Sequence, residues 1–236
     1  MESVLLVHSG GFTSRQWRRL AELLAPDYRV LAPDLLGYGA SGPWPEGEPF
    51  HFRQDLAFLE QLIGDEPVHL VGHSYGGFLA LQLALMRPEL VRSIAVYDPV
   101  AFGILHPDER PSHIRPELEP RESWLEGFVD WWNGAGSWQR LPEETRAAFR
   151  ALGWKVFQEV MSLMADETDR ATYATITAPT LVFGGGNSPL AERRVVEELG
   201  AALPNATAQL FPGIGHMGPV SHAAIVNAEI VRHLRV

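Results

Sequence analysis

The sequence predicts an α/β fold in which a mostly parallel central sheet of about six strands is flanked by helices and carries one helical insertion. Three observations support this. Short apolar runs recur along the 236 residues; stretches with helical periodicity separate them; and the alternation breaks once, between Pro99 and Thr177. Strand, helix, strand, helix, with strands apolar on both faces, means parallel pairing with both sides of the sheet covered.

In order, the strand candidates are VLLV at 4–7, RVLA at 29–32, VHLV at 68–71, SIAVY at 93–97, TLVF at 180–183 and TAQLF at 207–211. Trp17, Leu20, Leu23 and Leu24, and again Leu56, Leu59, Leu62 and Ile63, recur at helical spacing. The long gap is proline-punctuated as far as Pro120, then helical and rich in tryptophan: Trp124, Trp131, Trp132, Trp138 and Trp154. A structureless loop of that length would be out of place in a compact domain, so residues 99–177 read as a helical lid inserted into a core made of 1–98 and 178–236. The tryptophans supply packing area to a small lid and suggest that it closes an apolar pocket.

At 46% apolar and 20% charged residues the chain can bury a real core. A formal net charge of −10 argues against nucleic acid or an anionic membrane surface as the main partner. With no cysteine, disulfides, thiolate metal sites and a cysteine nucleophile are excluded. The opening MESVLLVHSGG has too short an apolar run for a signal-peptide core, and no stretch approaches the ~18 apolar residues of a membrane span, so a cytoplasmic location is expected.

Chemistry enters after the strand at 68–71. Gly72-His73-Ser74-Tyr75-Gly76 is G-x-S-x-G in a strand-to-helix setting, where a sharp turn exposes a serine and side chains two residues to either side would collide with backbone. The first strand ends in His8-Ser9-Gly10-Gly11-Phe12, a loop of small residues whose N–H groups can face a ligand. Acyl transfer needs such donors for the developing oxyanion. Gly10 is the expected first donor, with Gly11 the fallback and the Tyr75 N–H the second. Of nine histidines, His216 lies in a glycine-flanked loop just past the last strand, where parallel-sheet loops gather, and reads as the general base.

Together HSGG, APDLLGYGASG, GHSYGG and FPGIGHMGP resemble the α/β-hydrolase fold family, especially its small esterase-like members with a helical lid. The resemblance covers nearly the whole chain and implies the order Ser, acid, His. Family members usually have two strands before the one that leads into the oxyanion loop; here only Met1 to Ser3 precede VLLV, so the sheet should be of about six strands and all parallel. In most members a strand-glycine-x-x-Asp pattern supplies the acid, and Gly184-Gly185-Gly186-Asn187 matches it with an amide in place of the carboxylate. Asp98, at the end of the preceding strand, is the substitute the resemblance offers, as in certain haloalkane dehalogenases. Two other readings stand: an Asp-Pro pair that only turns the chain, or an imidazole oriented by the Asn187 amide oxygen. Asp34 reads as a brace of its own loop, and His8 and His73 adjoin the site without a base's position.

The expectation is a serine hydrolase of small to medium apolar carboxylic esters, with Ser74 as nucleophile, His216 as base, Asp98 as acid and Gly10 and Tyr75 as oxyanion donors, needing no cofactor and no metal. A thioesterase, lactonase or C–C bond hydrolase would share this machinery. A dehalogenase needs Asp where Ser74 stands. Outside catalysis, the alternative is a ligand-binding protein on a hydrolase fold.

Overall fold

A computed structural model of the chain describes residues 1–111 and 122–235. Of the proline-punctuated stretch that runs up to Pro120, residues 112–120 lie outside the described residues. Six strands form one sheet: β1 (Ser3–Val7), β2 (Arg29–Leu31), β3 (Val68–His73), β4 (Val91–Tyr97), β5 (Thr180–Gly185) and β6 (Ala206–Phe211). Their order is β2-β1-β3-β4-β5-β6 and every pair is parallel.

Each strand departs from the sequence expectation by two residues or fewer at either end. The apolar runs mark strands well because the inner ones are buried on both faces, and their side chains divide by parity. Leu5, Val7, Leu70, Ile94, Val96 and Val182 belong to one core. Val4, Leu6, Val71, Ala95, Tyr97, Leu181 and Phe183 belong to the other.

Helices α1 (Arg18–Leu24), α2 (Phe52–Ile63) and α3 (Tyr75–Met86) connect the early strands. His51 opens α2 with a capping box, its ring accepting from the Arg53 N–H while Gln54 reaches back to the His51 N–H. Between β4 and β5 run α4 (Glu122–Asn133), α5 (Ser137–Arg140), the long α6 (Glu143–Met164) and α7 (Arg170–Tyr173). The chain closes with α8 (Leu190–Ala202), α9 (Gly218–Ser221) and α10 (Ala223–Leu234). Leu23 and Leu62, which fit the helical spacing of α1 and α2, face solvent. No helix among the described residues is long and apolar enough to cross a membrane.

The core beneath α2, α3 and α8 continues without a break into the inserted helices, through Trp124, Leu125, Val129, Trp132, Val156 and Val160. The other core lies under α1 and α10. Helices therefore cover both faces of the sheet, and the carboxyl ends of its strands are left to the loops and to α4–α6.

Candidate active site

The loops after β1, β3, β4, β5 and β6 converge at this edge. Ser74 sits between β3 and α3 at φ 55°. A Cβ on Gly72 would come 2.3 Å from the Gly76 carbonyl oxygen, which is why the turn tolerates only glycine there. The Ser74 N–H still bonds to the Tyr97 carbonyl at 3.0 Å, so the ladder continues into the strained residue.

Asp98 is the second non-glycine residue with positive φ, at 43°, and its N–H donates to the Phe183 carbonyl at 2.8 Å. Among the described residues no other non-glycine backbone enters this region. Such strain persists only where the surroundings over-determine it, and it clusters at functional sites. The Asp98 carboxylate is fully buried and holds three donors: His216 Nδ1 at 3.1 Å and Ser188 Oγ at 2.6 Å on Oδ2, and the Gly185 N–H at 3.2 Å on Oδ1.

The glycine run after β5 makes room for that carboxylate. A Cβ on Gly184 would fall 2.0 Å from Asp98 Oδ1, and one on Gly185 would fall 2.5 Å from the Ile214 carbonyl oxygen of the histidine loop. Asn187 contributes its backbone, donating its N–H to the Ile214 carbonyl at 2.9 Å, while its side chain is exposed. The residue that reaches Asp98 is its neighbour Ser188.

His216 is buried, and burial holds its imidazole far below the usual range, so the ring is neutral. With Nδ1 against Asp98 the proton belongs there, and Nε2 keeps its lone pair. Burial also pushes the Asp98 carboxyl up, against the Ser188 and Gly185 bonds that favour its ionised form. The loop is pinned by Tyr97, whose hydroxyl donates to the Gly215 carbonyl at 2.8 Å, and by His73, whose Nε2 donates to the His216 carbonyl at 2.8 Å. His73 accepts on Nδ1 from Gln16 at 3.1 Å, and Gln16 in turn accepts from the Ser9 N–H at 3.1 Å. Burial lowers His73 to about 3. It is a neutral strut, as is His8, which donates to the Ser9 carbonyl at 2.8 Å and accepts from the Leu36-preceding residue Leu35 at 3.0 Å.

Ser74 and His216 line one cavity of about 430 Å³, walled by Val100, Phe102, Phe128, Phe149 and Val160 among others. The Ser74 hydroxyl is free of hydrogen bonds among the described residues. Gly10 also lines the cavity, and its N–H has no acceptor among the described residues, whereas the Gly11 N–H is taken by the Tyr38 hydroxyl at 3.1 Å. The Tyr75 N–H opens α3 and so has no partner within the helix. Two donors, a hydroxyl and an imidazole thus border one apolar space, the equipment for acyl transfer. Asp34 accepts from the N–H groups of Ser14 and Ala40, both at 2.7 Å, and braces its loop.

Of the five tryptophans singled out above, only Trp132 lines the cavity, where its ring stacks on His216 with centroids 3.7 Å apart. Trp124 and Trp138 are packed in the core, and Trp154 donates to the Glu48 carbonyl at 2.8 Å. Nothing in a tryptophan-rich helix tells which ring will meet a loop more than 80 residues away. Among the described residues no cluster of three or more His, Asp or Glu could hold a metal ion.

With the geometry in place, comparison decides the family. The model of the alpha/beta hydrolase family matches residues 4–229. The chain belongs to the alpha/beta hydrolase family. It is 32% identical, over 99% of its length and 63% of the relative's, to the dihydrolipoyllysine-residue acetyltransferase component of an acetoin cleaving system from Cupriavidus necator. It is 41% identical to lipase LipV of Mycobacterium tuberculosis over 41% of this chain and 36% of that protein. The chain thus spans less than two thirds of either relative. The structure of 2-hydroxy-6-oxo-6-phenylhexa-2,4-dienoate hydrolase from a Rhodococcus strain superimposes with a TM-score of 0.73 at 24% identity, covering 100% of this chain and 91% of that one, a likeness of fold. Membership of this family supports a hydrolase.

Two features of this alpha/beta hydrolase can be tested on stability alone. Gly184→Ala should cost ~1–3 kcal/mol in urea unfolding, because its methyl must displace Asp98. Gly186→Ala, whose Cβ would meet its nearest neighbour at 3.1 Å, should cost less. Equal, small losses would contradict the cradle. The second concerns Glu192 in the first turn of α8, fully buried with neither carboxyl oxygen hydrogen-bonded among the described residues. Burial, then the Asp98 charge, raises it well above 4.5. A carboxyl whose folded value is raised keeps its proton in the native state after the unfolded chain has lost it. Its contribution is whole below 4.5 and falls as pH rises, by at most about 1.4 kcal/mol per unit. Thermal melts at about pH 5 and pH 8 should therefore differ less for Glu192→Gln than for the native chain, and equal differences would count against a neutral Glu192.

Proposed function

We propose that this protein is a serine hydrolase of carboxylic esters working through Ser74, His216 and Asp98. What supports the reading most is that the Asp98-paired His216 and the strained Ser74 border the same apolar cavity as the Gly10 N–H, the Ser74 hydroxyl and that N–H having no hydrogen-bond partner among the described residues. Ser74 Oγ attacks the ester carbonyl as its proton passes to His216 Nε2. Asp98 holds the imidazole by Nδ1 and stabilises the imidazolium. The N–H groups of Gly10 and Tyr75 bind the oxyanion, each such donor being worth roughly 3 kcal/mol in the transition state. His216 returns the proton to the departing alcohol, leaving an acyl-enzyme, then takes a proton from the water that attacks it and delivers that proton to Ser74 Oγ as the acid is released. Ser188 and the Gly185 N–H favour the ionised form of Asp98 throughout.

The inserted helices act as the lid in this reading, with Trp132 shielding His216 from water on one face. The cavity's size and apolar walls suit a small to medium acyl or alkyl group. Thioesters, lactones and C–C bonds next to a carbonyl are open to the same nucleophile, and a panel of such substrates ranks them. A protein that merely binds ligands would gain nothing from the strained Ser74 turn and a neutral His216 held by Asp98.

Short-chain p-nitrophenyl esters and fluorophosphonate labelling test the reading. Ser74→Ala should abolish both, and absence of both in the native protein would sink the hydrolase assignment. Asp98→Asn should lower kcat by about three orders of magnitude or more. Asn187→Ala, removing an exposed side chain while keeping the backbone bond to Ile214, should change kcat little. The opposite ranking of these two variants would move the acid to position 187.

A further inference from the structure

Behind the cavity lies a cluster of ionisable groups that the proposed mechanism does not use. Lys155 and Glu159 come from α6, Asp55 from α2, Tyr38 from the loop after β2 and Tyr75 from the start of α3, and every one is buried. Lys155 Nζ donates to Glu159 Oε1 at 2.6 Å and to Asp55 Oδ2 at 3.2 Å, and lies 3.5 Å from the centroid of the Phe50 ring. The Tyr38 hydroxyl donates to Glu159 Oε2 at 2.7 Å, and the Tyr75 hydroxyl donates to Asp55 Oδ2 at 2.9 Å. Asp55 Oδ1 accepts from the Leu36 N–H at 2.9 Å.

One end of this chain reaches Gly11, next to the proposed donor Gly10, and the other reaches the side chain of Tyr75, whose N–H is the other proposed donor. The Tyr38 oxygen that bonds Glu159 also accepts the Gly11 N–H, fixing the turn that presents Gly10. Glu159 Oε2 lies beside the same turn, 2.8 Å from where a Cβ of Gly10 would be, and Glu159 lines the cavity. The other end is the ring of Tyr75, whose own N–H is the second donor. One ammonium therefore stands between the two halves of the oxyanion hole. It also compensates a carboxylate that would otherwise face a developing negative charge across a cavity walled mostly by apolar side chains, where such a repulsion is poorly screened.

We propose that Lys155 is a positioning residue for the oxyanion hole: through Glu159 and Tyr38 it sets the Gly10–Gly11 turn, through Asp55 it sets Tyr75, and its charge shields the oxyanion from Glu159. This rests on the serine hydrolase reading. It differs from a purely structural role, in which the cluster only fastens α6 to α2, in what it does to the transition state. A fastener, when loosened, lowers stability and disturbs substrate binding; a positioner lowers kcat at nearly constant KM.

The test uses the full chain with p-nitrophenyl butyrate. Lys155→Met should lower kcat about 100-fold with KM within about threefold, the size of losing one preorganised donor. Burial pushes the Glu159 carboxyl up to about 7 even beside Lys155, so in Lys155→Met it takes up a proton near neutral pH and the charge is read on the alkaline side. Adding Glu159→Gln to Lys155→Met should therefore recover more kcat at about pH 9 than at about pH 7. Tyr38→Phe removes a single hydroxyl and keeps the ion cluster, so it reads the same link even if Lys155→Met does not fold; it should lower kcat about tenfold at unchanged KM. A folded Lys155→Met, or Tyr38→Phe, with kcat within about threefold of the native protein overturns the proposal, as does a loss that appears in KM alone. Native protein with neither ester turnover nor fluorophosphonate labelling overturns the hydrolase reading and this one with it, whereas native turnover with silent variants overturns only this one.

Discussion

The bond from His216 to Asp98 is the constraint around which the rest of the site is arranged. A carboxylate with no exposure to water is costly unless donors replace its hydration, and here three do so: an imidazole, a hydroxyl and a backbone N–H. Each donor comes from a different chain position, so each imposes a condition on the backbone. Gly184 must lack a side chain, Gly185 must turn its N–H inward, and Ser188 must follow at once. The run of glycines after β5 is the consequence. It serves a carboxylate that belongs to the neighbouring strand.

Strain at Ser74 and Asp98 is tolerable because the sheet holds both residues from the side. The Ser74 N–H bonds to Tyr97 on β4, and the Asp98 N–H bonds to Phe183 on β5, so each distorted residue is the last rung of a parallel ladder. Energy stored locally is offset by register fixed over the whole length of the strands. The same edge supplies Tyr97, whose ring packs in the core beside Phe183 while its hydroxyl holds the Gly215 carbonyl. Core packing and the placement of His216 are thus one piece of architecture.

Strands, their parallel sense and the sharp Gly72–Gly76 turn at Ser74 were legible in the sequence because each is a local pattern: an apolar run, an alternation, a glycine spacing. Asp98 was only half legible, since an Asp-Pro pair at a strand end reads equally well as a turn; its positive φ and its donors exist only once β4 and β5 lie side by side. Asn187 misleads for a related reason. The family pattern directs attention to its side chain, while its backbone braces Ile214 and Ser188 does the polar work. Trp132 on His216 and Lys155 between Asp55 and Glu159 could not be read at all, for they join residues about 84 and 100 positions apart.

Lys155 also bears on how the helices between β4 and β5 are fixed against the sheet, with which they share one core. A buried ion cluster is weak evidence for stability, because apolar residues of similar volume would serve as well or better. Apolar residues could not, however, hold two tyrosine hydroxyls at fixed points, and those hydroxyls sit on the turn after β2 and at the head of α3. Apolar packing is non-directional, whereas an ammonium shared between two carboxylates adds directional bonds that fix one register. With α6 so registered, Glu159, Val156 and Val160 wall the cavity from the same helix that carries Lys155. The shape of the space above Ser74 and the direction of the N–H groups beside it are then set by one buried cation.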